Sequence, residues 1–225
     1  MMRILSIFAL AVITSNASAQ LAGISNTDAA SGLKQSLHDG AAAAVAKLGV
    51  ENGFFANPKV KIPLPPALAK VEGAMRTFGM KKQADALVLS MNRAAEAAVP
   101  EAKQLLADSV SKMTLQDAKG ILTGGPTSVT DYFKRTSSAQ LSQRFLPIVK
   151  AATDKVGLAQ QYNSLAGQGA QFGLIKKDDA KIENYVTNKA LDGLYLMIGE
   201  QEKALRANPM GAASDIVKKV FGALK

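Results

Sequence analysis

The sequence contains no cysteine, no tryptophan and only one histidine, His38. Without cysteine, the chain has no thiol nucleophile, no disulfide, no attachment point for a cysteine-linked lipid and no zinc site of the usual Cys/His kind. A Ser/His/Asp triad would have to use His38, but the Gly-x-Ser-x-Gly motif of a nucleophile elbow is absent. We therefore expect no metal and no cofactor, and we interpret His38 as a surface residue of the first helix.

Long apolar runs are also lacking. The start of the chain instead has the three parts of a secretory signal: Arg3, an apolar stretch over residues 4–13, and the small residues Ala17-Ser18-Ala19. The apolar stretch is about half of the ~20 residues that a membrane-spanning helix needs, and no later run reaches that length. We predict a signal peptide over residues 1–19, cleaved between Ala19 and Gln20. The mature chain is then exported without a transmembrane segment, and the periplasm is its expected compartment.

The chain is basic, with 27 lysine and arginine residues, 18 aspartate and glutamate residues and a formal net charge of +9. Removal of residues 1–19 takes away only Arg3 and leaves a net charge of +8. The basic residues are dispersed rather than grouped in long blocks, which is typical of a solvated surface. The expected partners are an envelope protein, an anionic lipid or a wall polymer, whereas nucleic acid is not an expected partner of an exported chain.

Helical periodicity dominates the sequence, and no convincing period-2 alternation occurs outside short loops. We predict one all-α domain over residues 20–225, an irregular bundle of about eight to ten helices. The first helix, capped by Asn26 or Thr27, should end at Gly49. Residues 49–66 contain four prolines, which exclude a helix and predict an extended Pro-rich loop packed by its own apolar side chains.

Capping signals divide the rest of the chain into further helices. A long helix over residues 178–206 contains the apolar segment ALDGLYLMIG and should be a central helix surrounded by the others. The helix over residues 66–79 should bury Leu68, Val71, Met75 and Phe78 on one face. The other predicted helices cover 81–113 with a kink at Pro100, 115–122 capped by Thr114 and Asp117, 128–136 capped by Ser128 and Asp131, 137–156 capped by Ser137 and Gln140, 158–166, and 216–224.

Two polar stripes on apolar helices are the best candidate site. Asn92 and Glu96 lie one turn apart beside the buried face of the 81–113 helix, and Tyr185, Lys189 and Asp192 share one stripe of the central helix. Because buried charges must be paired, Lys189 and Asp192 should form an internal pair or line a polar cleft that holds a ligand. We predict that the stripes face each other, with Asn92 or Glu96 within hydrogen-bond reach of Tyr185 or Lys189. Such a network would fix the helix register, and a ligand site is the alternative.

Two weaker candidates involve a loop and isolated carboxylates. The segment GGPTSVTDYFKRT places Thr127, Ser128 and Asp131 after glycines at a helix start, which is one way to build an anion site. The segment lacks the lysine and the spacing of a P-loop. Its glycines and hydroxyls are explained equally well if they end one helix and begin the next, without a ligand. Acid/base chemistry by Glu96, Asp131 or Asp192 also stays open, because it needs neither cysteine nor histidine.

Several separate segments carry a family resemblance. They are KIPLP, SMNRAAEAAVPEAK, ILTGGPTSVTDYFKRT and YVTNKALDGLYLMIGEQE, with VKKVFGAL near the end of the chain. In content and order they resemble the bacterial exported family known as domain of unknown function 4197, over about residues 24–224. The resemblance implies a largely α-helical envelope protein of Gram-negative bacteria. It implies no activity, cofactor or catalytic residue.

These observations lead to one main functional hypothesis and two alternatives. The main hypothesis is a non-enzymatic binding or scaffolding protein of the cell envelope, since the sequence offers a helical core and a Pro-rich loop but no recognisable catalytic constellation. The first alternative is a hydrolase or lyase that acts on an envelope glycan or lipid through carboxylates. The second is a basic peripheral membrane protein that uses its net charge and the last helix, with Lys218 and Lys219.

Overall fold

The computed structural model describes residues 25–70, 72–171 and 180–208, together with Asp215, Val217 and Lys218. Within these residues all regular structure is helical, which confirms the predicted all-α class. The elements are α1 (Asn26–Leu48), α2 (Pro66–Ala69), α3 (Glu72–Thr77), α4 (Lys81–Ala98), a 3-10 turn (Val99–Glu101), α5 (Ala102–Ser111), α6 (Leu115–Leu122), α7 (Ser128–Thr153), α8 (Gly157–Gln171) and α9 (Ile182–Ala207).

Helix α9 is the centre of the bundle, as its apolar sequence predicts. It packs against α7, α1 and α4, and buries apolar side chains that point in several directions, including Leu194, Met197 and Ile198. One stripe of α9 stays outside the bundle, where Leu196 is 44% exposed. The helix is therefore enclosed on most sides but not on all.

The first helix begins one residue earlier than expected. Its cap is Ser25, whose hydroxyl accepts a hydrogen bond of 3.0 Å from the Asp28 N–H, so the predicted caps Asn26 and Thr27 are wrong. The predicted end is confirmed, because the Gly49 N–H closes the last turn on the Val45 carbonyl at 2.8 Å. The sequence could not distinguish the caps, since three consecutive residues there are all good N-cap types.

The break at Pro100 and the cap at Thr114 are confirmed. Pro100 lies in the 3-10 turn that separates α4 from α5, as expected for a residue without a backbone N–H. Thr114 and Asp117 form a full capping box, in which each side chain binds the other residue's backbone N–H, at 3.1 and 3.2 Å. Both features could be predicted from the sequence because each depends only on residues within one helical turn.

The predicted helix over residues 66–79 is wrong in extent. The chain forms α2 and α3 instead, and Phe78, expected in the core, is 82% exposed. Gly79, at φ +81°, turns the backbone after α3, and the Met80 N–H then binds the Met75 carbonyl at 2.8 Å. Phe78 therefore belongs to the turn rather than to the helix face that buries Met75.

The predicted division at Ser137 is also wrong, because α7 runs unbroken for 26 residues. The Ser137 hydroxyl is buried and lies 2.6 Å from the Phe133 carbonyl, one helical turn back, and 2.9 Å from the Tyr195 hydroxyl on α9. A serine bonded in this way is tolerated inside a helix, whereas the sequence pattern suggested a cap. Ser128 does not cap α7 either, since the helix is preceded by Thr127, which makes no side-chain cap bond.

Some predicted segments fall partly or wholly outside the described residues. The signal segment is one, and most of the helix predicted over 216–224 is another, although Val217 is described and is buried. Helix α8 continues to Gln171, so the end predicted at residue 166 is too early. Among the described helices, none is long and apolar enough to cross a membrane.

Candidate functional site

The Pro-rich segment over residues 49–65, called the strap below, is an ordered element that packs on the bundle. Its middle folds on itself, because the Asn57 carbonyl accepts hydrogen bonds from the Val60 and Lys61 N–H groups at 3.1 and 2.9 Å. Phe54 and Ile62 are completely buried. This confirms the prediction that the apolar side chains of the loop hold it in place by packing.

Asn92 of α4 binds the strap backbone at Ile62. Its side-chain oxygen accepts a hydrogen bond from the Ile62 N–H at 2.8 Å, and its amide group donates to the Ile62 carbonyl at 2.9 Å. The second amide hydrogen goes to the Val88 carbonyl on its own helix at 2.8 Å. Asn92 is fully buried, so it gives a strap residue the two backbone hydrogen bonds that a sheet would otherwise supply.

Glu96, one turn further along α4, binds a second point of the strap. One carboxylate oxygen accepts hydrogen bonds from both the Phe54 and Phe55 N–H groups, each at 2.9 Å. The other oxygen lies 2.6 Å from the Arg93 guanidinium, which keeps the buried charge paired. Both oxygens of this carboxylate therefore accept hydrogen bonds from the protein itself.

Arg93 completes the arrangement from outside. Helical geometry places it nearly opposite the core, but its long side chain returns to Glu96 and also reaches Glu51 and Asn52 of the strap, each at 3.0 Å. Its guanidinium lies 5.7 Å from the centre of the Phe55 ring. Arg93 therefore covers the Glu96 carboxylate and connects α4 to the start of the strap.

Helix α9 holds the other side of the strap. The Tyr185 hydroxyl donates a hydrogen bond of 3.2 Å to the Pro63 carbonyl. Gly193 lies so close to the strap that a Cβ atom there would be 2.8 Å from the Phe54 ring and 3.2 Å from Val60. The glycine therefore provides the space into which the strap packs.

The two predicted stripes are thus joined by the strap rather than by direct contact. Asn92 and Glu96 bind strap backbone from α4, and Tyr185 binds it from α9. Lys189 and Asp192 are exposed, and they form no ion pair with each other among the described residues. The predicted hydrogen bond between the stripes and the internal Lys189–Asp192 pair are both wrong, because neither pattern accounted for a segment lying between the helices.

One signal in the sequence could have revealed this arrangement. A loop that buries Phe54 and Ile62 must also bury backbone N–H groups, and these need acceptors. Asn92 and Glu96 are the polar residues on an otherwise alanine-rich helix face, so they were the available acceptors. Periodicity alone places a side chain on a helix face but does not say which backbone group it meets.

The other candidate residues lie apart from this arrangement. Thr127 and Asp131 are exposed, and the Ser128 hydroxyl donates to the Gly125 carbonyl at 2.8 Å as part of the loop itself. His38 is exposed beside Asp39, as predicted for a surface residue. Within the described residues, no group of three or more acidic or histidine side chains could hold a metal ion.

A face rich in lysine lies on the outer side of the strap. We call it the strap face; it comprises Lys47, Lys59, Lys61, Lys189, Asp192, Glu200 and Lys203. Lys59, Lys61 and Lys189 line a cleft of about 200 Å³ between the strap and α9. Lys59 pairs with Glu200 and holds the pKa of that carboxyl below its usual value, with Lys203 and Lys47 adding to the effect. Five lysines against two carboxylates leave this face positive.

Two lysines of the strap face are positioned by aromatic rings. The Lys61 ammonium lies 4.4 Å from the centre of the Phe55 ring, and the Lys189 ammonium lies 5.9 Å from that of Tyr185. Neither forms an ion pair with a carboxylate of the described residues. The ring beneath Lys61 belongs to the strap, and the ring beneath Lys189 belongs to α9, so the two lysines are held on either side of the cleft.

The contact between Gly193 and the strap gives a testable prediction. We expect Gly193→Ala to lower the free energy of unfolding by about 1–2 kcal/mol, because the fully buried Phe54 ring must move to admit the methyl group. Gly120→Ala in α6 is the matched control, since a Cβ there meets nothing within 4 Å and should gain up to about 1 kcal/mol of helix propensity. Urea unfolding of both variants measures the difference, and a gain at both glycines would contradict the packing described.

The fold and site define a helical bundle that carries a strap fixed between two of its helices. The chain belongs to the family described as Protein of unknown function (DUF4197), which matches residues 23–222. This confirms the resemblance seen in the sequence. The chain matches no curated protein and no solved structure.

Proposed function

We propose that this protein is an exported, non-enzymatic binding protein of the cell envelope, and that its strap face binds an acidic polymer. The observation that carries the proposal is that buried Asn92 and Glu96 fix the strap from beneath, while Lys61 of the strap and Lys189 of α9 line the cleft on its outer side. A loop held at several points keeps its outer side chains in place, which reduces the entropy lost on binding. Carboxylate or phosphate groups on the ligand would meet the lysines.

The extent of the strap face favours a long ligand over a small anion. Lys189 and Lys203 are both exposed and lie close to one line along α9, separated by 14 residues. At 1.5 Å per residue this separation is about 21 Å, which no single phosphate or carboxylate can bridge. A linear polymer with repeated negative charges can contact both ends of the face and the cleft between them.

The carboxylates support a binding role over the alternative hydrolase or lyase. Glu96 is buried and both of its oxygens are engaged by the strap and Arg93, so a substrate cannot reach this carboxylate without opening the strap. Asp131 and Asp192 are exposed and occur on different helices. No contact among the described residues favours acid/base chemistry at either of them.

Export rests on the signal pattern at residues 1–19, and the family resemblance supports an envelope role. In that compartment, acidic polysaccharides and wall polymers are the available long anions. The net charge of +8 that remains after removal of the signal segment favours association with them.

The binding experiment uses the mature chain and a fluorescein-labelled galacturonate oligomer, with a neutral oligosaccharide as a second probe. We expect anisotropy to report binding of the acidic oligomer only, weakened by added salt. Lys61→Gln/Lys189→Gln should weaken binding about five- to thirty-fold, as expected for two exposed charge contacts of about 0.5–1 kcal/mol each.

The matched control is Lys112→Gln/Lys119→Gln, which removes the same charge from two exposed lysines outside the strap face. This variant should bind within about two-fold of the unmodified protein. If both double variants lose affinity equally, net charge rather than the strap face explains the binding. If the acidic oligomer does not bind at all, or binds regardless of salt, the proposed function is wrong.

A further inference from the structure

Phe78 is the large hydrophobic side chain with the greatest exposure in the described part of the chain, at 82%. It lies at the tip of the turn between α3 and α4, where the Phe78 N–H binds the Ala74 carbonyl at 2.9 Å and Gly79 has φ +81°. Residues 76–83 are all exposed apart from the half-buried Met80. The ring is thus held on an ordered, convex tip and is not part of a groove.

The tip carries positive charge that its neighbours do not neutralise. Lys81 and Lys82, at the start of α4, are exposed and form no ion pair with any described residue. The carboxylates nearby are already engaged, because Arg76 binds Glu72 at 2.5 Å and Asp85 at 3.1 Å. The hydrogen bond to Glu72 also raises the pKa of Arg76. Two lysine charges therefore follow the exposed ring in the chain without a carboxylate partner among the described residues.

We propose that this turn docks on an anionic lipid surface, with the Phe78 ring among the headgroups and acyl chain ends and with Lys81 and Lys82 on lipid phosphates. An aromatic ring flanked by lysines is the composition of an interfacial anchor. A protein partner would need an apolar contact surface of several hundred Å² on this side, whereas the tip offers a single ring on a convex turn. A lipid surface accepts such a ring without a matching pocket.

The lipid anchor and the strap face are separate parts of the molecule. Phe78 lies just before α4. Asn92 and Glu96, which hold the strap, follow Phe78 by 14 and 18 residues, which corresponds to roughly 21–27 Å along the helix. Variants at one surface therefore leave the other unchanged. The anchor also differs from the last helix that the sequence suggested for membrane association, where Lys218 is paired with Asp215 at 2.9 Å.

The absence of tryptophan from the chain allows a direct test. In the mature protein, Phe78→Trp becomes the sole tryptophan. Vesicles of phosphatidylglycerol and phosphatidylethanolamine should shift its emission to the blue, and lipids brominated on the acyl chains should quench it. Vesicles of phosphatidylcholine should do neither. The control is Leu165→Trp, at a leucine of α8 that is 69% exposed, which should show no change. An unchanged spectrum at position 78, or equal changes at both positions, would overturn the proposal.

Co-sedimentation with the same vesicles measures the contribution of each group. We expect Phe78→Ala to weaken binding about ten-fold and Lys81→Gln/Lys82→Gln about twenty-fold. All three residues are exposed, so both variants should melt like the unmodified protein, which thermal unfolding checks. Lys112→Gln/Lys119→Gln should bind vesicles within about two-fold of the unmodified protein.

The two proposals fail in different ways. Lys61→Gln/Lys189→Gln should retain vesicle binding while it loses the galacturonate oligomer. If that variant loses the vesicles and Phe78→Ala does not, the lipid contact belongs to the strap face and the anchor is wrong. If vesicles never bind while the oligomer does, the anchor alone is overturned and the proposed function stands.

Discussion

Glu96→Ala is expected to lower the free energy of unfolding by about 3–5 kcal/mol, the range for removing one partner of a buried charge network. The variant leaves the Phe54 and Phe55 N–H groups without their shared acceptor. Arg93, which is only partly exposed, also loses the carboxylate 2.6 Å away. Hydrogen bonds to a charged group contribute about 1.5–3 kcal/mol each, so two of them account for most of the expected loss.

Urea unfolding followed by circular dichroism measures this effect. Glu96→Gln should lose less than Glu96→Ala, because glutamine keeps an oxygen for the two N–H groups but no charge for Arg93. Glu101→Ala is the control, since Glu101 is exposed and lies 3.6 Å from Arg144, and it should change stability by at most about 0.5 kcal/mol. A loss below about 1 kcal/mol for Glu96→Ala would mean that this carboxylate does not hold the strap.

Asn92→Leu should have the second largest effect, a loss of about 2–4 kcal/mol in the free energy of unfolding. Leucine is close to asparagine in shape, so the substitution creates little cavity but leaves the N–H and the carbonyl of Ile62 buried without partners. Each unsatisfied group costs about 1–3 kcal/mol.

The matched control for this variant is Asn188→Leu. Asn188 lies on the exposed side of α9, where leucine is the better helix former, so stability should be unchanged or slightly higher. Both variants are compared by urea unfolding under the same conditions. Equal stabilities would show that burial of the Ile62 backbone carries no penalty, which contradicts the role assigned to Asn92.

Local chemistry made much of the fold predictable from the sequence. Gly49, Pro100 and the Thr114–Asp117 pair each act within one helical turn, so their effect can be stated without a three-dimensional context. Ser137 shows the limit of that reasoning. Its hydroxyl satisfies the preceding turn of its own helix and meets Tyr195 on another, and only the tertiary structure reveals this choice.

The candidate site was predictable in part for a similar reason. Helical geometry identified Asn92, Glu96 and Tyr185 as polar residues that need partners, and the structure brings all three to one segment. It could not identify the strap as that partner, because the strap has no periodicity from which its position could be inferred. Lys189 was placed in the core because its helix is apolar, yet it is exposed, on a stripe of α9 that no other described helix covers.

Amide hydrogen exchange at the strap shows whether buried side chains fix this otherwise irregular segment. The Phe54, Phe55 and Ile62 N–H groups are bound to Glu96 and Asn92. We expect them to exchange more than about a hundred-fold more slowly than the amide of Gly125 in the exposed loop before α7, and to lose that protection at Phe54 and Phe55 in Glu96→Ala. Exchange of all three as fast as Gly125 in the unmodified protein would contradict the account, because the strap would then open freely and could not present its lysines as a fixed surface.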